Sequence, residues 1–111
     1  QAMLYPPFAD FVLIGFVGQR EEQVCQASLY FMNLLRNLAG REYTDLPLRV
    51  LDPSPALVTK VSNKYRYQLL IKCRNDKRLR AMLSRLFIEF SAERRFAQVT
   101  AFVDTNPVFA L

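Results

Sequence analysis

The chain has no histidine and no tryptophan, only three glycines and two cysteines, and no long apolar run. Without histidine there is no imidazole base for acid–base chemistry near neutral pH. The two cysteines, Cys25 and Cys73, are far apart and form no C-x-x-C. A structural metal site wants more ligands at closer spacing, so both are expected to be reduced thiols in apolar positions. So few glycines exclude a collagen-like chain and leave no Gly-rich phosphate loop. No apolar stretch approaches the roughly 18 residues needed to span a bilayer. Nothing points to secretion, which makes the cytoplasm the expected compartment.

What is present is a hydrophobic half, 51% of 111 residues, with a net charge of +5. That length suits one domain with a core of its own. The chain starts on Gln1 and ends on Val108-Phe-Ala-Leu111, which suggests a domain excised from a longer protein. Charge is divided unevenly. Residues 1–59 hold four basic and six acidic residues, whereas residues 60–111 hold eleven basic and four acidic. Eight of those eleven lie between Lys60 and Arg80 against one acid, Asp76. Such asymmetry predicts a polyanionic partner, nucleic acid first and an acidic peptide tail second.

Periodicity predicts the elements in order. Tyr5-Pro-Pro-Phe8 sets an extended approach to a continuous apolar strand, Phe11 to Val17. A run of that kind is apolar on both faces, so the second face of the sheet is expected to be incompletely wet and able to dock other parts of a parent protein. Val24, Ala27, Phe31, Leu34 and Leu38 recur at helical spacing and predict a helix over 21–38, with Gly40 as its stop. Leu48 to Leu51 is a short strand closed by Asp52-Pro-Ser-Pro55. A basic loop, Lys60 to Lys64, leads into the clearest strand. There Tyr67, Leu69, Ile71 and Cys73 alternate with Arg66, Gln68 and Lys72, and only Leu70 interrupts the polar face. Asn75 or Asp76 is positioned to cap a helix over 77–91 whose inner face is Leu79, Met82, Leu83, Leu86 and Phe90. A last strand follows over 97–104, ended by Asn106-Pro107.

Strand, helix, strand, strand, helix, strand predicts an α+β fold. It would be a four-stranded antiparallel sheet with two helices on one face, the split βαββαβ sandwich of ferredoxin-like or ribosomal-protein-like type. The fold hosts many functions and names none. Residues 1–111 are expected to form a single domain. An RNA-recognition platform needs small residues between exposed aromatics on its central strand. Lys64-Tyr-Arg-Tyr-Gln-Leu-Leu-Ile71 instead places Arg and Gln there. Asp10, Asp52 and Asp104 sit at turns and strand ends, where capping explains them. No nucleophile, base and orienting group come together, so the chain by itself is not expected to be an enzyme.

Binding is the better expectation. Lys60, Lys64, Arg66 and Lys72 could engage phosphates, and Tyr65 could offer a ring to an unpaired base. Lys77 and Arg80, at the start of the second helix, could hold an acidic partner tail. A merely solvated basic surface is the plain alternative.

Four motifs in register, Tyr5-Pro-Pro-Phe8, Leu51-Asp-Pro-Ser-Pro-Ala56, Tyr65-Arg-Tyr-Gln-Leu-Leu-Ile-Lys72 and Val103-Asp-Thr-Asn-Pro107, resemble a known family. It is the carboxyl-terminal domain of the primosomal replication-restart DNA helicases (PriA, primosomal protein N′). Asp52 stands where many members carry Gly, and Asn106 where many carry Asp. The resemblance implies a bacterial ATP-dependent 3′–5′ DNA helicase that restarts stalled forks and assembles the primosome. ATP, Mg and structural Zn would belong to upstream domains, so no cofactor or metal is expected in this chain. Implied partners are single-stranded or branched DNA, the C-terminal tail of the single-stranded-DNA-binding protein, and the helicase lobes of the same chain, with no membrane. A structural docking domain and a free-standing ribosomal-type nucleic-acid-binding protein are the alternatives.

Overall fold

The alternating strand that dominates the sequence is the middle of the sheet. In the computed structural model, which describes residues 10–61, 64–74 and 76–105, this strand is β4, Lys64–Cys73. Along one edge it pairs antiparallel with the full length of β1, Asp10–Gly18. Its other edge is shared. The short β2, Leu48–Val50, covers the Cys73 end, and β3, Ser54–Val61, covers the Lys64 end. The last strand, β5, Thr100–Thr105, pairs antiparallel with β1, giving the order β2-β4-β1-β5 with β3 beside β4. This is the predicted α+β class with an antiparallel sheet. The motifs Tyr5–Phe8 and Asn106-Pro107 lie outside the described residues.

The sheet has one strand more than the sequence suggests. Asp52-Pro-Ser-Pro55 was expected to close a strand and lead into a loop, yet β3 begins at Ser54 and includes Pro55. Proline lacks a ladder donor but is tolerated on an edge strand, and β3 is one. Its register against β4 shifts between Pro55 and Lys60, which accommodates residues that do not fit the ladder. Lys60 and Lys64 are consequently strand residues on two arms of a hairpin, not members of a long loop.

Two helices cover one face. The first, α1, spans Glu21–Glu42 and buries Val24, Ala27, Ser28, Phe31, Met32, Leu35 and Leu38. It runs through Gly40, which meets nothing on its outer side. A single helical glycine costs about 1 kcal/mol relative to alanine, too little to end a long helix. The last turn is also tied down, because Arg85 grips the Glu42 carboxylate with hydrogen bonds of 2.6 and 3.1 Å. The second helix, α2, spans Lys77–Ser91 and buries Leu79, Met82, Leu83, Leu86 and Phe90, the face the periodicity predicts. Asp76 is its cap, accepting from the Leu79 N–H at 2.9 Å. Edge-on rings join the layers, with Phe16 of β1 lying 5.6 Å from Phe31 and 5.9 Å from Phe90. A 3-10 turn over Arg94–Phe96 closes the core by stacking Phe96 on Phe90.

Candidate nucleic-acid interface

Strand alternation puts Val12, Ile14, Phe16, Leu69, Ile71 and Cys73 into the core with no exposure. The residues between them must then lie on the other face of the sheet. Register fixes that open face as four rows, since residues directly opposite in a ladder share a side. Arg49, Lys72 and Phe11 form one row, and Leu70, Leu13 and Asp104 the next. Ser54, Gln68, Gly15 and Phe102 form the third; Arg66, Val17 and Thr100 form the fourth. Phe11, Leu13, Val17 and Leu70 stand outside the buried core and stay partly exposed. The result is an apolar strip along β1, with Arg49, Arg66 and Lys72 on its β4 side and Asp104 on its β5 side.

Among the described residues Phe102 is the most exposed apolar group of this face, at 37%. Its ring leans across Gly15, where a Cβ would come within 2.2 to 2.7 Å of three ring atoms. Glycine is what lets the ring lie down on the sheet. The Lys72 ammonium sits 5.9 Å from the Phe11 ring centre. Arg49 and Lys72 are direct cross-strand partners. Like charges in that position repel, and an anion between them would reverse the sign. Among the described residues Arg49, Lys64, Arg66 and Lys72 form no ion pair.

The proposed contact residues are divided by this geometry. Arg66 and Lys72 share the open face, and exposed Lys64 stands at its end, lining a polar hollow of about 250 Å³ with Val17, Gln19, Gln98 and Thr100. Tyr65 points to the helix side and packs against the core, as does Tyr67. The Tyr67 hydroxyl donates to Glu21 at 3.2 Å, and burial raises its phenol above the ordinary range, with Glu21 adding to the rise. The backbone of Lys60 lies opposite Tyr65, and its side chain is outside the described set.

On α2, two cations are committed to structure. Arg78 bridges to Asp45, and Arg85 to Glu42, whose carboxyl is held below its usual range by that hydrogen bond. Lys77 is exposed at the first position of the helix. Arg80, one turn on, lies at the rim of an apolar groove of about 530 Å³ formed with Leu83, Ser84, Phe87, Ile88 and Val103. Ile88 and Val103 are 70% and 45% exposed.

A further group of cations is brought together by the fold alone. Arg20, Arg94 and Arg95 line a second polar hollow of about 290 Å³ with Gln23, Ala97 and Gln98. They come from the start of α1 and from the 3-10 turn. The adjacent pair Arg94-Arg95 was the available signal, but nothing in the sequence ties it to Arg20.

Both cysteines are free, with Cys73 buried. The described residues hold no cluster of three or more metal-ligating side chains, and no described helix is long and apolar enough to cross a membrane. Fold and surface together define a small α+β sandwich with a basic, partly apolar open face. The chain belongs to the family described as the Primosomal protein N C-terminal domain, which matches residues 1–108. It is 25% identical over 103 residues to the replication restart protein PriA of Bacillus subtilis, covering 93% of this chain and 12% of that protein. PriA of Chlamydia muridarum is 29% identical over 108 residues, covering 97% and 13%. The chain thus spans about an eighth of the length of these curated relatives. Among solved structures, the de novo designed protein Foldit4 superposes with a TM-score of 0.56 at 18% identity, covering 90% of this chain and 98% of the design. A hydantoinase/carbamoylase family amidase from Burkholderia ambifaria gives 0.54 at 12% identity, covering 86% and 27%. At such identities the likeness is one of fold alone.

Proposed function

We propose that this chain is the DNA- and protein-binding C-terminal module of an ATP-dependent 3′–5′ helicase that restarts stalled replication forks in the bacterial cytoplasm. In that assembly it binds while other domains hydrolyse ATP. The observation that carries the reading is the open sheet face, where Arg49 and Lys72 oppose each other and Arg66 borders the same apolar strip. Cations that form no ion pair among the described residues, beside rings and aliphatic side chains, suit single-stranded or branched DNA, whose phosphates take the charge. Lys64, on the hairpin at one end of that face, would extend the contact, with Lys60 as its neighbour on the facing arm of the hairpin.

The groove beside Arg80 supports a second contact, to the acidic, Phe-ended tail of the single-stranded-DNA-binding protein. Carboxylates would meet Lys77 and Arg80, and the ring would enter between Phe87, Ile88 and Val103. Titration with a Phe-ended acidic peptide tests it. Affinity unchanged in Lys77→Ala/Arg80→Ala would sink this assignment.

A rival reading is favoured by the apolar strip of the open face, which could dock the helicase lobes and serve only structure. Titration of the chain with fluorescent fork DNA at several salt concentrations separates the two. Binding that weakens with salt, and is lost in Lys60→Ala/Lys64→Ala/Arg66→Ala, is the expected result. A chain that ignores DNA but dimerises through its sheet would favour docking.

A further inference from the structure

The two polar hollows described above are neighbours, because Gln98 lines both. One opens beside Val17 and Thr100, the last row of the open face, and contains Lys64. The other lies beyond Gln98 and contains Arg20, Arg94 and Arg95. Four cations from three elements, Lys64 of β4, Arg20 at the start of α1 and Arg94 and Arg95 of the 3-10 turn, thus meet at one end of the sheet, where β1 stops and β5 starts.

Their local bonding differs. Arg95 is held, its Nε donating to Glu93 at 3.1 Å and its guanidinium lying over Tyr30 and Phe96 at 5.3 and 5.0 Å. Its backbone carbonyl accepts from Gln23 at 2.8 Å, which braces the wall of the second hollow. Lys64, Arg20 and Arg94 form no ion pair among the described residues. The nearby acids are accounted for in part: Glu93 serves Arg95, and Glu21 accepts from Tyr67. Neither Glu21 nor Glu22 lines either hollow.

We infer that this end of the sheet is a phosphodiester-binding strip, in which Lys64, Arg20 and Arg94 hold neighbouring phosphates of one strand and Gln19, Gln98 and Thr100 supply neutral hydrogen bonds. A single compact anion would occupy one hollow; two adjoining hollows with cations in each suit a linear polyanion. Amide and hydroxyl groups beside Arg and Lys are the usual partners of phosphate oxygens. The lining is short of the apolar surface that an acidic peptide with a hydrophobic anchor would need, unlike the groove beside Arg80. The strip continues the row of Arg66 and Thr100, so a strand whose bases lie on the open face would leave across it. This rests on the proposed nucleic-acid function, and the strip is a separable part of it.

The test compares the wild-type chain, Arg20→Ala/Arg94→Ala and Arg66→Ala/Lys72→Ala, titrated with fluorescein-labelled oligo-dT over a series of salt concentrations. Each phosphate contact on a single strand contributes about 0.7 to the slope of log affinity against log salt. Arg20→Ala/Arg94→Ala is therefore expected to lower that slope by about 1.4, with a loss additive to that of the open-face pair. Arg20→Gln/Arg94→Gln should reproduce the loss with an unchanged unfolding midpoint, which removes a folding defect as its cause. A wild-type slope in both strip variants, alongside a loss in Arg66→Ala/Lys72→Ala, would overturn the strip and leave the proposed function standing. No wild-type binding at all would remove both. Displacement of oligo-dT by polyglutamate at equal charge concentration would also overturn it, by showing a carboxylate site.

Discussion

The contact of Phe102 with Gly15 is the residue-level feature on which the shape of the open face depends. A methyl at Gly15 would sit inside the ring, so the ring must swing into solvent. Gly15→Ala is expected to destabilise the fold by about 1 kcal/mol, the ordinary size of a disrupted contact, partly offset by the better strand propensity of alanine. In a Phe102→Ala background the same change should be nearly neutral. Urea unfolding of the four proteins of that cycle checks it, and additive losses would show that the two positions do not interact. The thiols offer a second check. Burial pushes Cys73 up to about 11, with Asp10 and Asp76 adding to the rise, so it stays protonated at pH 8. Ellman's reagent should therefore modify Cys25 first and leave Cys73 until the chain unfolds. A raised thiol binds its proton more tightly folded than unfolded. Its contribution is intact below the unfolded value of about 8.5 and is lost as pH climbs towards 11. Cys73→Val should flatten that part of the stability profile.

At the scale of elements, α2 depends on its cap. Replacing Asp76 by Ala removes the acceptor for the Leu79 N–H and is expected to cost about 1 kcal/mol in urea unfolding, while Asp76→Asn should retain most of it. Phe31, on α1, touches Phe16, Phe87 and Phe90, and Phe31→Ala should cost about 3 to 5 kcal/mol. Helices of this kind are legible in a sequence because a buried stripe repeats every three or four residues, and all five inner positions of α2 follow from spacing alone. The alternation of β4 is equally direct, and it places Arg66 and Lys72 on one face before any fold is known. The end of α1 was less legible, since one glycine decides little when Arg85 holds the next turn. The strand β3 was hidden by Pro53 and Pro55, which argue against a strand unless its outer edge is bare. Tyr65 looked like a platform residue through its basic neighbours, but alternation carries it to the core side with Tyr67.

For the whole molecule, charge placement follows from topology. The basic run of the sequence, from Lys60 to Arg80, does not form one patch. Arg78 is spent on an ion pair, Arg66 and Lys72 face outward from the sheet, and Arg80 borders a groove with α2 and β5. Arg20 and Arg94, far apart in sequence, join Lys64 only because β1 and β5 are neighbours and α1 starts beside their ends. No linear reading could bring them together. Among the described residues the same topology leaves one sheet face without a helix layer, and membership of the primosomal family makes DNA the partner to try first. The most direct measurement is the affinity of the 111-residue chain for fluorescent fork DNA as a function of salt, set beside Arg66→Ala/Lys72→Ala. If the open face binds DNA, log affinity falls linearly with log salt, and the double variant binds more weakly with a shallower slope by about 1.4 to 1.8. Equal affinity and equal slope in the two proteins would contradict it.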